Sequence, residues 1–151
     1  MPTILASDLQ SYVGKETGLS DWIEITQPDV NAFADVTRDH QFIHVDVEKA
    51  KESPFGGTIA HGFLTLSLLS GFADGTTLAL DGAKMGVNYG LEKVRFLAPV
   101  KVGKRIRGRF VLAEANERKP GVFQMIYDAS VEIEGEDKPA LSAQWIVLQY
   151  I

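Results

Sequence analysis

The feature that most constrains this chain is one apolar segment followed by little except strands. Residues 61–73 read His-Gly-Phe-Leu-Thr-Leu-Ser-Leu-Leu-Ser-Gly-Phe-Ala, apolar around nearly the whole circumference of a helix. A helix patterned this way belongs in an interior rather than on a surface. Its length favours helix over strand. From residue 83 the pattern changes to strand-type runs at about 84–97, 104–116, 121–134 and 139–150. Lys119-Pro120-Gly121 and Glu134-Gly135-Glu136-Asp137 supply hairpin turns between them. A buried helix beside at least four antiparallel strands implies an α+β domain.

The first half adds smaller pieces. Leu19 to Thr26 alternates in the manner of a strand. Thr26-Gln27-Pro28-Asp29 is a helix-start signal, with a capping hydroxyl, an acid three residues later and a proline in the first turn. Val30, Phe33, Ala34 and Val36 then give one apolar face through about residue 37. A second short helix is expected over 46–52, stopped by Ser53-Pro54. No linker or internal repeat divides the 151 residues, of which 45% are apolar, so 1–151 reads as a single domain. A curved antiparallel sheet wrapped around a central buried helix is the architecture called a hot dog.

Composition removes several function classes. A formal net charge of −5 gives no general reason to bind nucleic acid or an anionic membrane. The absence of cysteine excludes disulfides, thiolate chemistry and Cys-based zinc sites. The N-terminus lacks a basic region leading into a long apolar run, and residues 63–72 are too short to span a bilayer, so a cytoplasmic protein is expected. Catalytic histidines can only be His40, His44 or His61.

The densest chemistry lies at residues 37–46, Thr-Arg-Asp-His-Gln-Phe-Ile-His-Val-Asp, on a loop between two short helices. Three readings compete there. His40, His44 and Asp46 can offer metal ligands if the segment is helical. Asp39 can simply cap a turn while His44 is a hydrogen-bonded core histidine. Asp39 and His44 can instead share one water molecule, since an imidazole titrates near neutrality and a carboxylate accepts protons.

Asp39 followed by His44-Val45-Asp46 and Ala50 resembles the hydratase-2 motif of MaoC-like dehydratases, the (R)-specific enoyl-CoA hydratases. The likeness continues in Phe33-Ala34, in Gly57-Thr58-Ile59-Ala60-His61-Gly62-Phe63, in Val87-Asn88-Tyr89-Gly90-Leu91 and in Val94 to Val100. It covers about residues 15–148 and is closest to the nodulation protein N-like branch. The motif commonly reads Gly-Asp-x-Asn-Pro, where this chain has Arg38, Asp39, His40, Gln41 and Phe42. Gln41 keeps an amide for a supporting role, whereas Phe42 adds bulk where the motif has proline.

The resemblance implies an (R)-specific enoyl-CoA hydratase or dehydratase, with Asp39 and His44 activating one water and the proton returning to C2. A helix starting at His61-Gly62 leaves its first N–H groups without intrahelical partners, so the Gly62 N–H can receive the thioester oxygen. His61 is expected to orient that turn through a ring hydrogen bond. Ser70 matches a family serine that supports the aspartate, or bonds back to its own helix. Asn88 is a candidate for the substrate channel. No metal and no cofactor are implied, coenzyme A being part of the substrate, and the fold implies a homodimer joined at open sheet edges.

Lys101, Lys104, Arg105, Arg107 and Arg109 form a basic cluster. Alternation alone makes it the solvated face of a strand, although coenzyme A phosphates are a second reading. Two rival functions share the scaffold: an acyl-CoA thioesterase and a non-catalytic acyl-thioester-binding protein. Thioesterases of this fold usually place their carboxylate on the central helix, and residues 61–73 hold no acid.

Overall fold

The computed structural model describes residues 3–151; Met1 and Pro2, included in the domain expected over 1–151, lie outside the described residues. After β1 (Thr3–Ile4) and a 3-10 turn at Ala6–Tyr12 come β2 (Glu16–Leu19) and β3 (Ile23–Glu24). The helical part comprises α1 (Gln27–Thr37), α2 (Phe42–Val45), α3 (Val47–Ala50), α4 (Gly62–Ser67) and α5 (Leu69–Ala73). Then follow β4 (Ala79–Leu80), β5 (Met85–Phe96), β6 (Arg105–Lys119), β7 (Val122–Ile133) and β8 (Leu141–Tyr150). The last four strands fall where the alternation placed them.

The main sheet runs β2-β6-β7-β8-β5, all neighbours antiparallel, with β3 also paired to β6. The small parallel pair β1–β4 has no counterpart in the sequence reading. Along β6 the buried positions Ile106, Gly108, Phe110 and Leu112 alternate with more open ones, which aims one face of the sheet inward. Leu64, Leu69, Phe72 and Ala73 from α4 and α5 pack with Phe110, Tyr127 and Trp145 in the core. Contact is tightest at Gly108, where a Cβ would stand 2.6 Å from Cβ of Phe72. Only glycine lets the sheet close this far onto the helix. This is the α+β hot-dog architecture.

Four local expectations need correction. The strand expected over 19–26 is split, because the Ser20 hydroxyl accepts the Gly108 N–H (2.9 Å) in place of a strand carbonyl. Residues 42–45, read as loop, form a helical turn closed by Asp46 N–H donating to the Phe42 carbonyl (3.0 Å). The helix expected over 46–52 shrinks to Val47–Ala50, capped by Asp46, whose carboxylate accepts the Lys49 N–H (3.0 Å). The segment at 61–73 is helical but interrupted at Leu68, and it is not buried all round: Phe63 (67% exposed), Ser67, Ser70 and Gly71 form an open stripe.

The signal at Thr26 is realised in full. Its side chain accepts the Asp29 N–H, and the Asp29 carboxylate accepts the Thr26 N–H (3.0 Å). The Thr26 hydroxyl, donating to the Asp29 carboxylate at 2.6 Å, and then the Thr26 N–H hold the Asp29 carboxyl below its ordinary pKa. Arg105 pairs with Glu134, while Glu132 accepts from both Arg107 and Arg109 at 2.7 Å. Arg107 also stacks over Trp22 at 4.3 Å. With their charges paired along the sheet, these arginines are a strand face. No helix among the described residues is long and apolar enough to cross a membrane.

Candidate active site

Helix α1 ends at Arg38, whose left-handed backbone (φ 65°, ψ 19°) turns the chain outward and delivers Asp39 to the next loop. Asp39 is exposed, and its Oδ1 accepts the Gln41 N–H at 3.3 Å. Helix α2 then carries His44 inward to 7% exposure. Its Nδ1 lies 2.8 Å from the Ile59 carbonyl. A carbonyl only accepts, so Nδ1 bears the proton and Nε2 keeps its lone pair. Burial, above all, pushes the His44 pKa below its ordinary value, and His61 pushes the same way; the Ile59 bond and the Asp39 carboxylate oppose them.

Two residues that sequence reasoning passed over hold this turn in place. The Gln27 amide donates to the His44 carbonyl at 2.7 Å, and its oxygen accepts the Thr58 hydroxyl at 2.6 Å. The Ile59 N–H donates to the Ile43 carbonyl (3.0 Å), completing a stitch between α2 and residues 58–60. The only sequence signal was that Gln27 follows the Thr26 cap, which says nothing about partners 17 and 31 residues away.

His61 precedes α4 and is 2% exposed. Its Nε2–H donates to the Asp39 carbonyl at 2.9 Å, while its Nδ1 is buried with no hydrogen-bond partner. The ring lies against His44, centroids 3.8 Å apart and planes inclined by 23°. Polar atoms of Asp39, His44 and His61, one from each, fall within 4.8 Å of one another. Near-parallel imidazoles fit a metal poorly, because their in-plane lone pairs do not converge on one point about 2.0–2.1 Å from each nitrogen.

The next residue, Gly62, opens α4, and its N–H has no acceptor among the described residues. It lines a cavity of about 250 Å³ with His44, Thr65, Phe96, Pro99 and Val100. A Cβ on Gly62 would meet ring carbons of Phe96 at 2.9–3.1 Å. Tight packing and an open N–H therefore coincide at this glycine.

The remaining candidates lie elsewhere. Gln41 is exposed and meets Asp39 through its backbone, and half-buried Phe42 carries Lys49 over its ring at 4.6 Å. Neither lines the cavity beside His44. Ser70 neither bonds back to its helix nor touches Asp39 within the chain; it accepts from Asn88 at 3.1 Å. Ser70 and Asn88 line a different cavity of about 400 Å³ with Tyr89 and Trp145. His40 pairs with Asp35 on the surface (2.9 Å), so His40, His44 and Asp46 do not assemble as ligands.

Residues 8–133 match the family described as MaoC like domain. The chain is 51% identical over 149 residues to a nodulation protein N of Rhizobium leguminosarum bv. viciae, covering 98% of this chain and 92% of that protein. It is 48% identical over 141 residues to a 3-hydroxyacyl-thioester dehydratase Z of Mycobacterium tuberculosis, covering 93% of each. A MaoC-like dehydratase from Rhodospirillum rubrum superposes with a TM-score of 0.77 at 20% identity, covering 97% of both chains, which shows a shared fold.

Proposed function

The chain belongs to the MaoC-like domain family, and from that premise we propose that it is an (R)-specific enoyl-CoA hydratase, adding water reversibly to trans-2-enoyl thioesters. The observation that carries this reading is the fixed tautomer of His44. Its Nδ1–H is committed to the Ile59 carbonyl, which leaves Nε2 as a base on a ring that has one nitrogen within 4.8 Å of an Asp39 carboxylate oxygen. A relative described as a 3-hydroxyacyl-thioester dehydratase supports a hydro-lyase.

Asp39 and His44 hold one water. As its oxygen bonds to C3, the C2–C3 double-bond electrons move toward the thioester, and the water's proton passes to the pair. Charge builds on the thioester oxygen, which accepts the Gly62 N–H; backbone donors so placed act where charge develops. The same pair then returns the proton to C2, so the addition balances without an external acid. The chemistry calls for no metal and no cofactor, and it suits a cytoplasmic enzyme whose substrate carries coenzyme A.

The working unit is a homodimer. Strand β5 closes one end of the sheet with one edge unpaired, and it exposes Met85, Val87, Tyr89 and Leu91 next to the open stripe of α4 and α5. An apolar edge of this kind is a pairing surface. Leu91→Glu is expected to convert a dimer to a monomer in light scattering; a monomeric wild type removes this assembly.

The test of the reaction uses crotonyl-CoA, following loss of the enoyl absorbance and release of free thiol separately. Absorbance loss without thiol, giving the (R)-3-hydroxy product, is expected. Thiol release without hydration identifies a thioesterase and removes the hydratase reading; neither signal favours a binding protein or another acyl chain length, and a longer trans-2-enoyl-CoA separates those two.

A further inference from the structure

Resting on the hydratase reading, we propose that His61 is a positioning residue for the Asp39–His44 pair, present at a cost to the stability of the fold. Its Nε2–H holds the Asp39 main chain at 2.9 Å, and its face supports the His44 ring at 3.8 Å. It also stands directly before Gly62, the residue with the open N–H. One side chain therefore sets the carboxylate, the imidazole and the backbone donor in register.

The unpaired Nδ1 separates this role from a purely structural one. A histidine selected for packing has both nitrogens satisfied, because a buried acceptor without a partner is destabilising. His61 is 2% exposed and leaves Nδ1 without any partner. A phenylalanine at this position would keep a flat ring under His44 and beside Phe33, whose ring is 5.0 Å away, with no orphaned ring nitrogen. What it would lose is the hold on Asp39. Sites that break a local rule of stability are where function is expected to reside.

The experiment compares wild type with His61→Phe and His61→Gln by thermal unfolding, crotonyl-CoA kinetics and nitrogen-15 titration of the His44 ring. His61→Phe is expected to unfold within about 2 °C of wild type or above it. Its kcat is expected to fall about 10- to 100-fold, with KM within about threefold. His61→Gln retains a side-chain donor, so it is expected to recover part of that loss despite lower stability. Removing the neighbouring imidazole is expected to move the His44 midpoint upward in both variants.

Full kcat in His61→Phe overturns the proposal, whatever its melting temperature. If wild type hydrates no enoyl thioester, the reaction reading fails and the backbone amide signals of residues 39–41 decide separately, because His61 holds the Asp39 carbonyl. Unchanged shifts and linewidths there in His61→Phe overturn the positioning role, and displaced or broadened signals support it.

Discussion

The imidazole of His44 lies flat against that of His61, centroids 3.8 Å apart, and each ring has one N–H committed to a main-chain carbonyl, Ile59 for His44 and Asp39 for His61. The two rings thus join helix α2, the Asp39 loop and the start of α4 through two ring-to-carbonyl hydrogen bonds. Burial dominates the lowering of the His44 pKa below 6.5. The neutral ring is the base, so the acid limb of kcat/KM for hydration is expected below pH 6.5. For stability the sign follows from linkage: the unfolded chain binds the proton more readily, so this contribution is fully present above about 6.5 and is lost as pH falls from there through the lower folded-state value. Initial rates and melting temperatures between pH 5 and 8 check both statements; an acid limb above the ordinary histidine value contradicts them.

Asp39→Asn and His44→Gln are each expected to lower hydration by about 10²- to 10⁴-fold, the usual contribution of a positioned acid or base. Their stabilities should differ. Asp39 is exposed, so Asn there is expected to change stability by no more than about 0.5 kcal/mol. His44 is buried and bonded to Ile59, so losing that bond should cost about 1–3 kcal/mol. Steady-state rates and denaturant unfolding separate the two effects.

Gln27→Leu removes the donor to the His44 carbonyl and the acceptor of the Thr58 hydroxyl together. A loss of about 1–3 kcal/mol is expected from the groups left unpaired. Thr58→Val combined with Gln27→Leu should cost less than the sum of the single changes, since they share one bond. A double-mutant cycle measures that coupling, and strict additivity would show that the bond does not form in solution.

Gly62→Ala places a methyl group against the Phe96 ring and at the mouth of the open N–H. Because Phe96 is half exposed, its ring can swing aside, so the fold is expected to survive. Hydration should nevertheless fall at least about tenfold, toward the 10²- to 10³-fold that loss of a backbone-type donor costs. Comparing kcat with melting temperature tests this; a stable variant with full activity removes Gly62 from the reaction.

Arg38→Gly is expected to stabilise the protein by up to about 1 kcal/mol, because φ of 65° is strained for a residue with a Cβ and ordinary for glycine. Part of the gain is offset by the greater freedom of glycine in the unfolded chain. Thermal unfolding reads the change, and activity should be retained because the backbone path into Asp39 is the one glycine prefers.

The sequence by itself determined the parts whose signals are local. Period-two alternation placed β5 to β8, the Thr26–Asp29 capping pattern started α1, and the family resemblance around Asp39 and His44, rather than their spacing, pointed to the candidate chemistry. What it misjudged was also local in cause. Ser20 ends a strand by offering its hydroxyl to Gly108, and the helix at 61–73 keeps an open stripe that no periodicity distinguishes from a buried one. Only the tertiary structure decided the His44 tautomer, the unpaired nitrogen of His61, the Gln27–Thr58 support and the separation of Ser70 from Asp39. The reason is physical: helix and strand patterns repeat every few residues and can be read along the chain. A hydrogen bond between residues 15 to 31 apart in sequence, such as His44 to Ile59 or Thr58 to Gln27, exists only once the core has fixed how those segments pack.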